Sequence, residues 1–526
     1  MGSPGESMAP GSATPRATHV DEEGVLIDNF KLVEDGRLRG DAFIKLLTDH
    51  PWPARNPEQN LADMRAQIAA NEKGVAELRK MVGHFTLPVV QAYMNHVQDN
   101  AEESVRRVID RLTDGRFTYP MDHGAVIEVK LTVDAGNREA TIDFTGTSPQ
   151  HEGNYNAPRS ICRAVVLYVF RTMVGAEIPL NEGCLKPLNI VIPEGSMLNP
   201  VYPAAVISGN TEVSQATCNA LYGALHVIAG SQATMNNFVW GNDRFQNYET
   251  IAGGTGAGPG FDGCDAVQTH MTNTRMTDPE ILEKRFPVRL EEFSIRPGSG
   301  GAGRWRGGHG VIRLLRFLEP ATVTTLSNHR IIPPFGVDGG EPGKVGRNWA
   351  VLPDGERREM AGNDEIELPA GSVFGMETPG GGGWGARGAE RGPLPGGGAG
   401  GRIPYPVRLC AHGLGGAGAH RSGARPGRRS RRAVPWRAGA GHHRAGAAAR
   451  RGRDGAGRRL RPAAGACAAA APMPRAGEGG RRHAARLRRS GRRFGRARAR
   501  RGRPRRRHRV PREPGAVARG AGARRR

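Results

Sequence analysis

The sequence lacks paired cysteines and lacks any apolar run long enough to cross a bilayer. Its longest apolar run, Ala164–Phe170, is far shorter than the roughly 20 residues that a membrane helix needs. The six cysteines, at positions 162, 184, 218, 264, 410 and 467, form no C-x-x-C pair, which excludes the common zinc-ribbon and redox motifs. No basic segment followed by an apolar one opens the chain. We therefore expect a cytoplasmic protein with reduced thiols and no membrane partner.

The tail of the chain lacks lysine. Residues 387–526 contain 40 Arg, no Lys and four acidic residues, whereas residues 1–386 contain 35 basic and 47 acidic residues. The net charge of +24 therefore comes from the tail alone, and the body is an ordinary acidic globular protein. The tail is mostly Arg, Ala, Gly and Pro, so it cannot bury enough apolar surface to overcome the entropy of folding. We predict a disordered tail that is the product of a shifted reading frame in GC-rich DNA. A basic nucleic-acid-binding arm is the alternative.

Common nucleotide-binding and hydrolase motifs are also missing. No Walker A loop is present, and neither is a G-x-S-x-G or an H-E-x-x-H string. Gly298–Gly303 fits G-x-G-x-x-G, but a strand-like run at Val311–Phe317 follows it in place of a helix. This order predicts a β-turn and argues against dinucleotide binding.

Hydrophobic periodicity predicts a mixed α/β (α+β) fold. Residues 1–20, rich in Gly, Ser and Pro, are expected to be loop or disorder. Apolar residues then recur at helical spacing from Leu61 to Val82 and from Val90 to Leu112, with a break at Gly83–Pro88, which predicts an antiparallel helical hairpin. An α/β middle region and a β-rich part from Val288 to Thr378 follow.

The stretch Tyr248–Arg275 is the first candidate for a site. Its glycines at 253, 254, 256, 258, 260 and 263 remove Cβ atoms, so the backbone can approach either a ligand or another backbone segment. A polar cluster from His270 to Arg275 ends the stretch. The alternative is a Gly-rich hairpin at the rim of a sheet.

Four sets of residues could carry chemistry. A helix predicted over Gly209–Ala229 would be capped by Asn210 or Thr211, and its first amides would form an anion site, although Glu212 in that turn argues against an anion. His96, Asn100 and Glu103 share one helix face, either as metal ligands or as a solvated charged face. Cys184 and Cys264 are either nucleophiles or small core residues. His270 could serve as a general base, with Asn273 as an amide donor.

Several strings together resemble the hydantoinase B/5-oxoprolinase family, and especially its 5-oxoprolinase branch. The resemblance covers roughly Glu22 to Gly385. The strings that carry it are ARNPEQNLADMRAQIAANEKGV (54–75), HVQDNAEESVRRVI (96–109), GNTEVSQ (209–215), MNNF (235–238), YETIAGGTGAGPGFDG (248–263), THMTNTRMTDPEILEKRFP (269–287), GSGGAGRWRGGHG (298–310), PPFGVDGGEPG (333–343) and TPGGGGWG (378–385).

The resemblance implies the B-type half of an enzyme that hydrolyses 5-oxo-L-proline to L-glutamate at the expense of ATP. ATP, with Mg, would bind a separate A-type half and phosphorylate the cyclic amide oxygen before water attacks. Residues in matching motifs are the expected site. The catalytic candidates are His270, Asn273 and Glu249, and the substrate-binding candidates are Asn210, Glu212, Asn237, Gly256 and Gly258.

The resemblance leaves two enzyme classes open, since a B-type subunit of a hydantoinase or of an ATP-dependent ketone carboxylase carries similar motifs. Family B halves begin further upstream with a His/Asp-rich segment that is metal-binding in related carboxylases, so we expect any divalent metal site there and its identity is unknown. We expect residues 21–386 to be a partial family region, inactive without the A-type half and part of an oligomer. No nucleic-acid partner is expected; a non-catalytic fragment is the remaining alternative.

Overall fold

The computed structural model describes residues 14–54 and 56–388. The Arg-rich tail, for which we predict disorder, lies outside the described residues from position 389 onward. No helix within the described ranges is both long and apolar enough to span a membrane.

Helices and sheets are mixed along the chain, as predicted. The helices are α1 Gly40–Thr48, α2 Pro57–Phe85, α3 Leu87–Ile109, α4 Arg159–Met173, α5 Ser214–Leu225 and α6 Pro279–Arg285. The strands are β1 Val33–Glu34, β2 Arg37–Leu38, β3 Gly115–Pro120, β4 Val126–Asp134, β5 Glu139–Asp143, β6 Leu188–Val191, β7 Asn237–Gly241, β8 Gln246–Thr250, β9 Val288–Ile295, β10 Val311–Phe317, β11 Ala321–Leu326, β12 Arg347–Val351, β13 Arg357–Met360, β14 Asn363–Leu368 and β15 Val373–Glu377.

The first core lies between helices and a four-stranded sheet of order β3-β4-β5-β6. Along β4, Ile127, Val129 and Leu131 are buried at every second position, because alternate side chains of a strand face the same side. Helices α4 and α5 bury their apolar residues in the same core. Helix α4 also connects β5 to β6, which pair in parallel, so this middle region contains the predicted α/β unit.

The second core joins two antiparallel sheets, of order β14-β11-β7-β8 and β13-β12-β15-β10-β9. Phe238 of one sheet stacks on Phe374 of the other, with ring centroids 4.3 Å apart. Trp240 meets Phe317 edge to face at 5.5 Å. These aromatic contacts hold the two facing sheets together. The strands β9–β15 of these sheets form the β-rich C-terminal part that the sequence predicts.

The predicted helical hairpin forms, with the single residue Thr86 between α2 and α3. Its apolar stripe is only partly covered, however. Leu61 at the start of α2 is buried, whereas Val75 and Leu78 are 39% and 46% exposed. The periodicity therefore predicts the helices correctly but does not reveal that no part of the described chain covers the far end of the stripe.

Residues 14–20 form a loop that packs against the body. Thr14 and Ala17 are buried, and His19 pairs with Ala204 as an isolated β-bridge. Composition predicts loop or disorder here and cannot distinguish the two, because the contacts that hold the loop are made with distant segments of the chain.

Glycine-rich segments pack backbone against backbone beside the second core. A Cβ on Gly254 would lie 2.0 Å from the carbonyl oxygen of Gly308, and one on Gly381 would lie 1.8 Å from that of Thr255. Hydrogen bonds such as Gly381 N to Gly308 O (2.9 Å) cross between the segments. The glycines of the stretch 253–258 thus permit a close approach of backbone to backbone. The segments are residues 253–258, 300–308, 336–343 and 379–383.

Candidate functional site

Helix α5 begins with one wider helical turn, Gly209–Val213. Asn210 and Thr211 were predicted to cap this helix, and that prediction is wrong, because helical backbone already precedes them. The carboxylate of Glu23 accepts hydrogen bonds from Val206 N (2.7 Å) and Ile207 N (2.9 Å). The protein's own carboxylate therefore occupies the helix start where an anion site was predicted. Wider turns of this kind often mark functional sites.

Glu212 points from this turn into the interior and is fully buried. Its Oε1 accepts hydrogen bonds from Met235 N (3.0 Å) and from Asn237 Nδ2 (2.9 Å). No hydrogen bond of ordinary length from the described residues reaches its buried Oε2, although the Thr234 side chain lies close enough to favour the charged form of the carboxyl group. Burial raises the pKa of Glu212 to about 7, because the charged form loses its water. The site thus contains a carboxyl group with one open oxygen that changes charge near neutral pH.

Asn237 holds the other side of this carboxyl group. Its Nδ2 also donates to Leu326 O (2.6 Å), and its Oδ1 accepts from Tyr248 Oη (2.6 Å). The amide is fully engaged, so Asn237 orients Glu212 and fixes the start of β7. The structure therefore brings together two of the predicted substrate-binding residues.

Arg330 supplies a buried positive charge close to Glu212. Its guanidinium donates to Asn236 Oδ1 (2.9 Å), to Asn348 Oδ1 (3.0 Å) and to Asn328 O (2.8 Å). Burial lowers the pKa of Arg330 to about 10, and the nearby charges of Glu212 and Asp122 oppose that shift. Arg330 therefore stays charged and favours the ionised form of Glu212.

Asp122 holds the loop that carries Arg330. Its carboxylate accepts from Arg330 N (2.5 Å) and Ile332 N (2.8 Å), while its own amide donates to Asn328 Oδ1 (3.1 Å). The turn between β3 and β4 is thereby tied to the segment after β11.

His329 in this loop is fully hydrogen-bonded. Its Nδ1 contacts Ile332 O at 2.5 Å, and its Nε2 contacts Tyr119 Oη at 2.5 Å. A carbonyl oxygen only accepts, so Nδ1 carries the proton and Nε2 accepts from the tyrosine. Burial lowers the pKa of His329, which keeps the ring neutral.

His123 differs, because both of its ring nitrogens are buried and have no hydrogen-bond partner among the described residues. Its ring lies 4.3 Å from that of Tyr155 and 4.6 Å from that of His151. Burial, followed by the neighbouring His151, lowers the pKa of His123 to about 4. A neutral imidazole with one free donor and one free acceptor therefore faces this region.

We call these residues the central polar cluster: Asp122, His123, Tyr155, Glu212, Asn237, Asn328 and Arg330. Tyr155 is their common neighbour, since the charges of Glu212, Asp122 and Arg330 all act on its hydroxyl. Asn328 Nδ2 is a further buried atom with no partner in the described part of the chain. Open polar atoms on Glu212, His123 and Asn328 are what a buried reaction or binding site requires.

Glu249, a predicted catalytic residue, lies in a buried ion pair. Its carboxylate accepts from Arg313 Nε (3.1 Å) and from Arg313 Nη2 at 3.0 and 2.9 Å. The two side chains are 1% and 2% exposed. The pair joins β8 to β10, strands of the two sheets that share the second core.

His270 and Asn273, the other predicted catalytic residues, differ in burial. The His270 ring sits 5.2 Å from that of Tyr222 and 6.0 Å from that of Tyr168, and burial lowers its pKa to about 3. Both of its ring nitrogens lack partners among the described residues. Asn273 is exposed. No hydrogen bond between described residues links either of them to the central polar cluster.

The predicted glycines and Asn210 occupy different surroundings. A Cβ on Gly256 would lie 1.8 Å from Ala229 O, and one on Gly258 would lie 2.3 Å from the Phe261 ring. Gly256 N also donates to Ser231 Oγ (3.2 Å). Asn210 is exposed at the start of α5.

The remaining candidates have structural surroundings. Cys184 is fully buried in the first core, and Cys264 is half-buried in the Gly-rich loop. Glu103 forms ion pairs with Arg107 (3.0 Å) and Arg138 (3.1 Å), which fits the solvated charged face. No group of three or more His, Cys, Asp or Glu side chains within residues 14–54 and 56–388 could hold a metal ion.

Sequence reasoning missed five members of the cluster: Asp122, His123, Tyr155, Asn328 and Arg330. They belong to the strings MDHG (121–124), NYN (154–156) and SNHR (327–330), each directly after or between predicted strands and helices. Polar residues at strand ends were a usable signal, but none of these strings has a spacing that singles out a reaction.

Comparison with known proteins now decides the family. The family model described as Hydantoinase B/oxoprolinase matches residues 6–387. The chain belongs to the hydantoinase B/oxoprolinase family. The central polar cluster and the Gly-rich segments both lie inside the matched range.

Curated relatives and a solved structure agree with this assignment. The chain is 43% identical over 404 residues to 5-oxoprolinase 1 of Arabidopsis thaliana, covering 72% of this chain and 32% of that protein. It is 42% identical over 389 residues to the 5-oxoprolinase of Dictyostelium discoideum, covering 72% and 30%. The chain thus spans about a third of the length of these relatives. The ATP-dependent caprolactamase from Pseudomonas jessenii shares the fold, with a TM-score of 0.63, 22% identity and coverage of 72% and 70%.

Proposed function

We propose that this chain is the B-type part of an ATP-dependent 5-oxoprolinase, which opens the ring of 5-oxo-L-proline to give L-glutamate together with an ATP-binding A-type half. The names of the relatives at 42–43% identity support the substrate. The chain covers only about a third of those proteins, which supports a partner region that supplies the remainder.

The observation that carries the proposal is the Glu212 carboxyl group, which is buried, held by one oxygen and open at the other. Ring opening replaces a C–N bond by a C–O bond. The attacking water loses a proton, and the ring nitrogen gains one. A carboxyl group whose pKa is about 7 can accept the first proton and return it to the nitrogen at neutral pH.

Other residues of the cluster would position and stabilise the reacting groups. Asn237 and the Met235 amide fix Oε1, so the proton moves through Oε2. Arg330 stabilises negative charge near Glu212, and the open amide of Asn328 suits a carbonyl or carboxylate oxygen. His123 offers a neutral nitrogen for a second contact.

ATP, bound with Mg on the A-type half, would activate the amide by phosphorylating its oxygen, and phosphate would leave after water has attacked the carbonyl carbon. The described residues of this chain do not fit a metal ion, because they lack a group of three ligands, so no step is assigned to a metal here. His270 and Glu249 would have no direct part in the chemistry. His270 packs as a neutral ring beside α5, and Glu249 joins two sheets through its ion pair with Arg313. Asn273 is then a surface residue.

The test is formation of glutamate from 5-oxo-L-proline by the chain combined with an A-type half, measured with ATP hydrolysis. We expect Glu212→Gln to lower kcat by roughly 10²- to 10⁴-fold, the range for loss of an acid–base group, with ATP binding unchanged. Glu177→Gln, at an exposed position, is the matched control and should retain full activity.

Two results would redirect the proposal. Activity that requires bicarbonate would favour a ketone carboxylase, and activity on a hydantoin ring without 5-oxo-L-proline turnover would favour a hydantoinase. Full activity of Glu212→Gln would remove Glu212 from the chemistry while leaving the family membership untouched.

A further inference from the structure

The side chain of Asn328 is buried and held in one orientation. Its Oδ1 accepts a hydrogen bond from Asp122 N (3.1 Å). A backbone N–H only donates, so this atom is the oxygen and Nδ2 points the other way. Nδ2 is buried and has no hydrogen-bond partner among the described residues. The main chain is fixed as well, since Asn328 N donates to Thr234 Oγ1 (3.2 Å) and Asn328 O accepts from Arg330 Nη1 (2.8 Å). Asn328 therefore presents the two N–H groups of a rigidly held amide.

The ring of His123 adds open atoms to the same region. Both ring nitrogens are buried without a partner in the part of the chain that the structure describes, and the ring is neutral because burial lowers its pKa to about 4. Tyr155, whose ring lies 4.3 Å from that of His123, donates through Oη to Ser327 O (3.2 Å), directly before Asn328. On the other side, Asp122 precedes His123 and donates to Asn328. Two links therefore place the His123 donor near the Asn328 amide.

Arg330 gives this region a positive charge. Its Nη1 donates to the carbonyl oxygen of Asn328, so the guanidinium lies next to the open amide. The carboxylate oxygens of Asp122 accept hydrogen bonds from the backbone amides of Arg330 and Ile332. Glu212, the second nearby acid, has a pKa of about 7 and is uncharged in part of the molecules at neutral pH. Open N–H donors beside a cation favour an anionic ligand that has more than one acceptor oxygen.

The region is close to the surface at two places. Gly124 directly follows His123 and is exposed, and a Cβ added to it would meet no atom within 4 Å. Ile331 directly follows Arg330 and is 72% exposed. Asp122 joins these two segments through its hydrogen bonds to the loop of Arg330. The open atoms of the region thus lie next to exposed positions, as entry of a small ligand requires.

We propose that Asn328 and His123 bind the carboxylate group that 5-oxo-L-proline carries beside its ring nitrogen. The inference rests on the proposed function and adds the residues that distinguish this substrate from a hydantoin ring, which lacks the carboxylate. The N–H groups of Asn328 and His123 match the two oxygens of a carboxylate, whereas a lone carbonyl oxygen has fewer lone pairs to offer. A site built to hydrogen-bond a substrate group rejects analogues without that group, because its buried donors are then left unpaired.

The test is the KM and kcat for 5-oxo-L-proline, measured as glutamate formed by the full chain combined with an A-type half. Asn328→Asp retains the oxygen that accepts from Asp122 and replaces the open donor by a carboxylate oxygen, which repels the substrate. We expect KM to rise by roughly 10²-fold, the scale of a lost charged hydrogen bond with added repulsion. The value of kcat should change little, because the substrate carboxylate does not react. Asn71→Asp, the same change at an exposed position of α2, is the matched control and should leave KM unchanged.

The neutral analogue 5-oxo-L-prolinamide tests the same contact from the side of the ligand. Its amide can donate a hydrogen bond to the new carboxylate of Asn328→Asp, whereas the substrate carboxylate cannot. The ratio of kcat/KM for the acid over that for the amide should therefore fall in Asn328→Asp by roughly 10²-fold or more relative to the parent.

His123→Leu keeps the test decisive if Asn328→Asp does not fold. This change removes buried nitrogens that have no partners among the described residues, so thermal stability should not fall. We nevertheless expect KM for 5-oxo-L-proline to rise by roughly tenfold, since one hydrogen bond to the carboxylate is lost. A residue with a purely structural role would change stability and leave KM as it is.

Two results separate this inference from the proposed function. If the parent forms glutamate and neither Asn328→Asp nor His123→Leu changes KM or the ratio of acid to amide, the inference is overturned and the proposed function stands. Buried water would then satisfy the open atoms. If the parent forms no glutamate from 5-oxo-L-proline, the proposed function is wrong and the inference is wrong with it.

Discussion

Two buried glutamates of this chain differ in what remains open around them. Burial raises the pKa of both, although Arg313 opposes the rise for Glu249. Glu249 has both oxygens occupied by the Arg313 guanidinium, whereas no hydrogen bond of ordinary length from the described residues reaches Oε2 of Glu212. The comparison shows that burial alone does not identify a reactive carboxyl group. A saturated carboxylate holds two sheets together, and the one with an open oxygen is the group to which we assign proton transfer in the proposed reaction.

The largest expected effect is on stability, and it comes from breaking the buried Glu249–Arg313 ion pair. Glu249→Gln leaves the Arg313 charge buried without a counter-ion, so we expect the free energy of unfolding to fall by about 3–5 kcal/mol. Urea denaturation followed by circular dichroism measures this directly.

The matched control removes both charges. Glu249→Leu combined with Arg313→Met should recover most of the lost stability, because no buried charge remains. If the double variant is as unstable as Glu249→Gln, then the ion pair itself holds the sheets and the comparison needs revision.

An intermediate effect is expected in the pH dependence that Glu212 confers. The folded pKa of about 7 lies above the ordinary value of 4.5, so between these values the folded chain retains a proton that the unfolded chain has lost. Stability from this group is present below pH 4.5 and is lost as pH rises through 7. Glu212→Gln removes that loss, so its stability relative to the parent should rise by about 1–3 kcal/mol from pH 5 to pH 8.

Parallel unfolding experiments at the two pH values test this expectation. Glu23, whose pKa burial also raises to about 7, is present in both proteins and cancels in the difference. Equal pH dependence in parent and variant would mean that Glu212 is ionised throughout, and the contrast with Glu249 would disappear.

The smallest effect concerns two histidines: His123, a member of the central polar cluster, and His329 in the loop next to it. His123→Leu removes two buried nitrogens that have no partners among the described residues, so we expect a gain of about 1 kcal/mol in stability. Tyr119→Phe removes the donor to His329 and should cost about 1 kcal/mol. Thermal unfolding of both variants gives the comparison, and a loss of stability in His123→Leu would show that the ring packs as a structural group.

Secondary structure was largely accessible from the sequence. The helical spacing of apolar residues predicts α2 and α3, and the family strings predict the range that the family model matches. These features depend on local spacing, which fixes the face that each residue presents. The start of α5 was predicted incorrectly, because its first amides are satisfied by Glu23, which lies far away in the chain.

Two of the seven residues of the central polar cluster were accessible in the same way. Glu212 and Asn237 were named from their strings, and they contact one another. Their separate roles could not be inferred from the sequence. The Asn237 amide is fully hydrogen-bonded because it also contacts Leu326 and Tyr248, and only the structure shows those contacts. Arg330 and His123 were missed because their surroundings come from other segments of the chain: Arg330 contacts Asn236, 94 residues away, and the His123 ring lies beside that of Tyr155, 32 residues away.

The sequence by itself determined the helices and strands, the charge division at residue 387 and the family, since each depends on composition or on short-range order. Tertiary structure alone decided which buried glutamate has both oxygens hydrogen-bonded and which has not, that glycine packs against glycine, and that the described residues leave the far end of the α2–α3 hairpin uncovered. The physical reason is that hydrogen-bond saturation and burial are properties of contacts between distant segments, and identical residue types acquire opposite roles from those contacts.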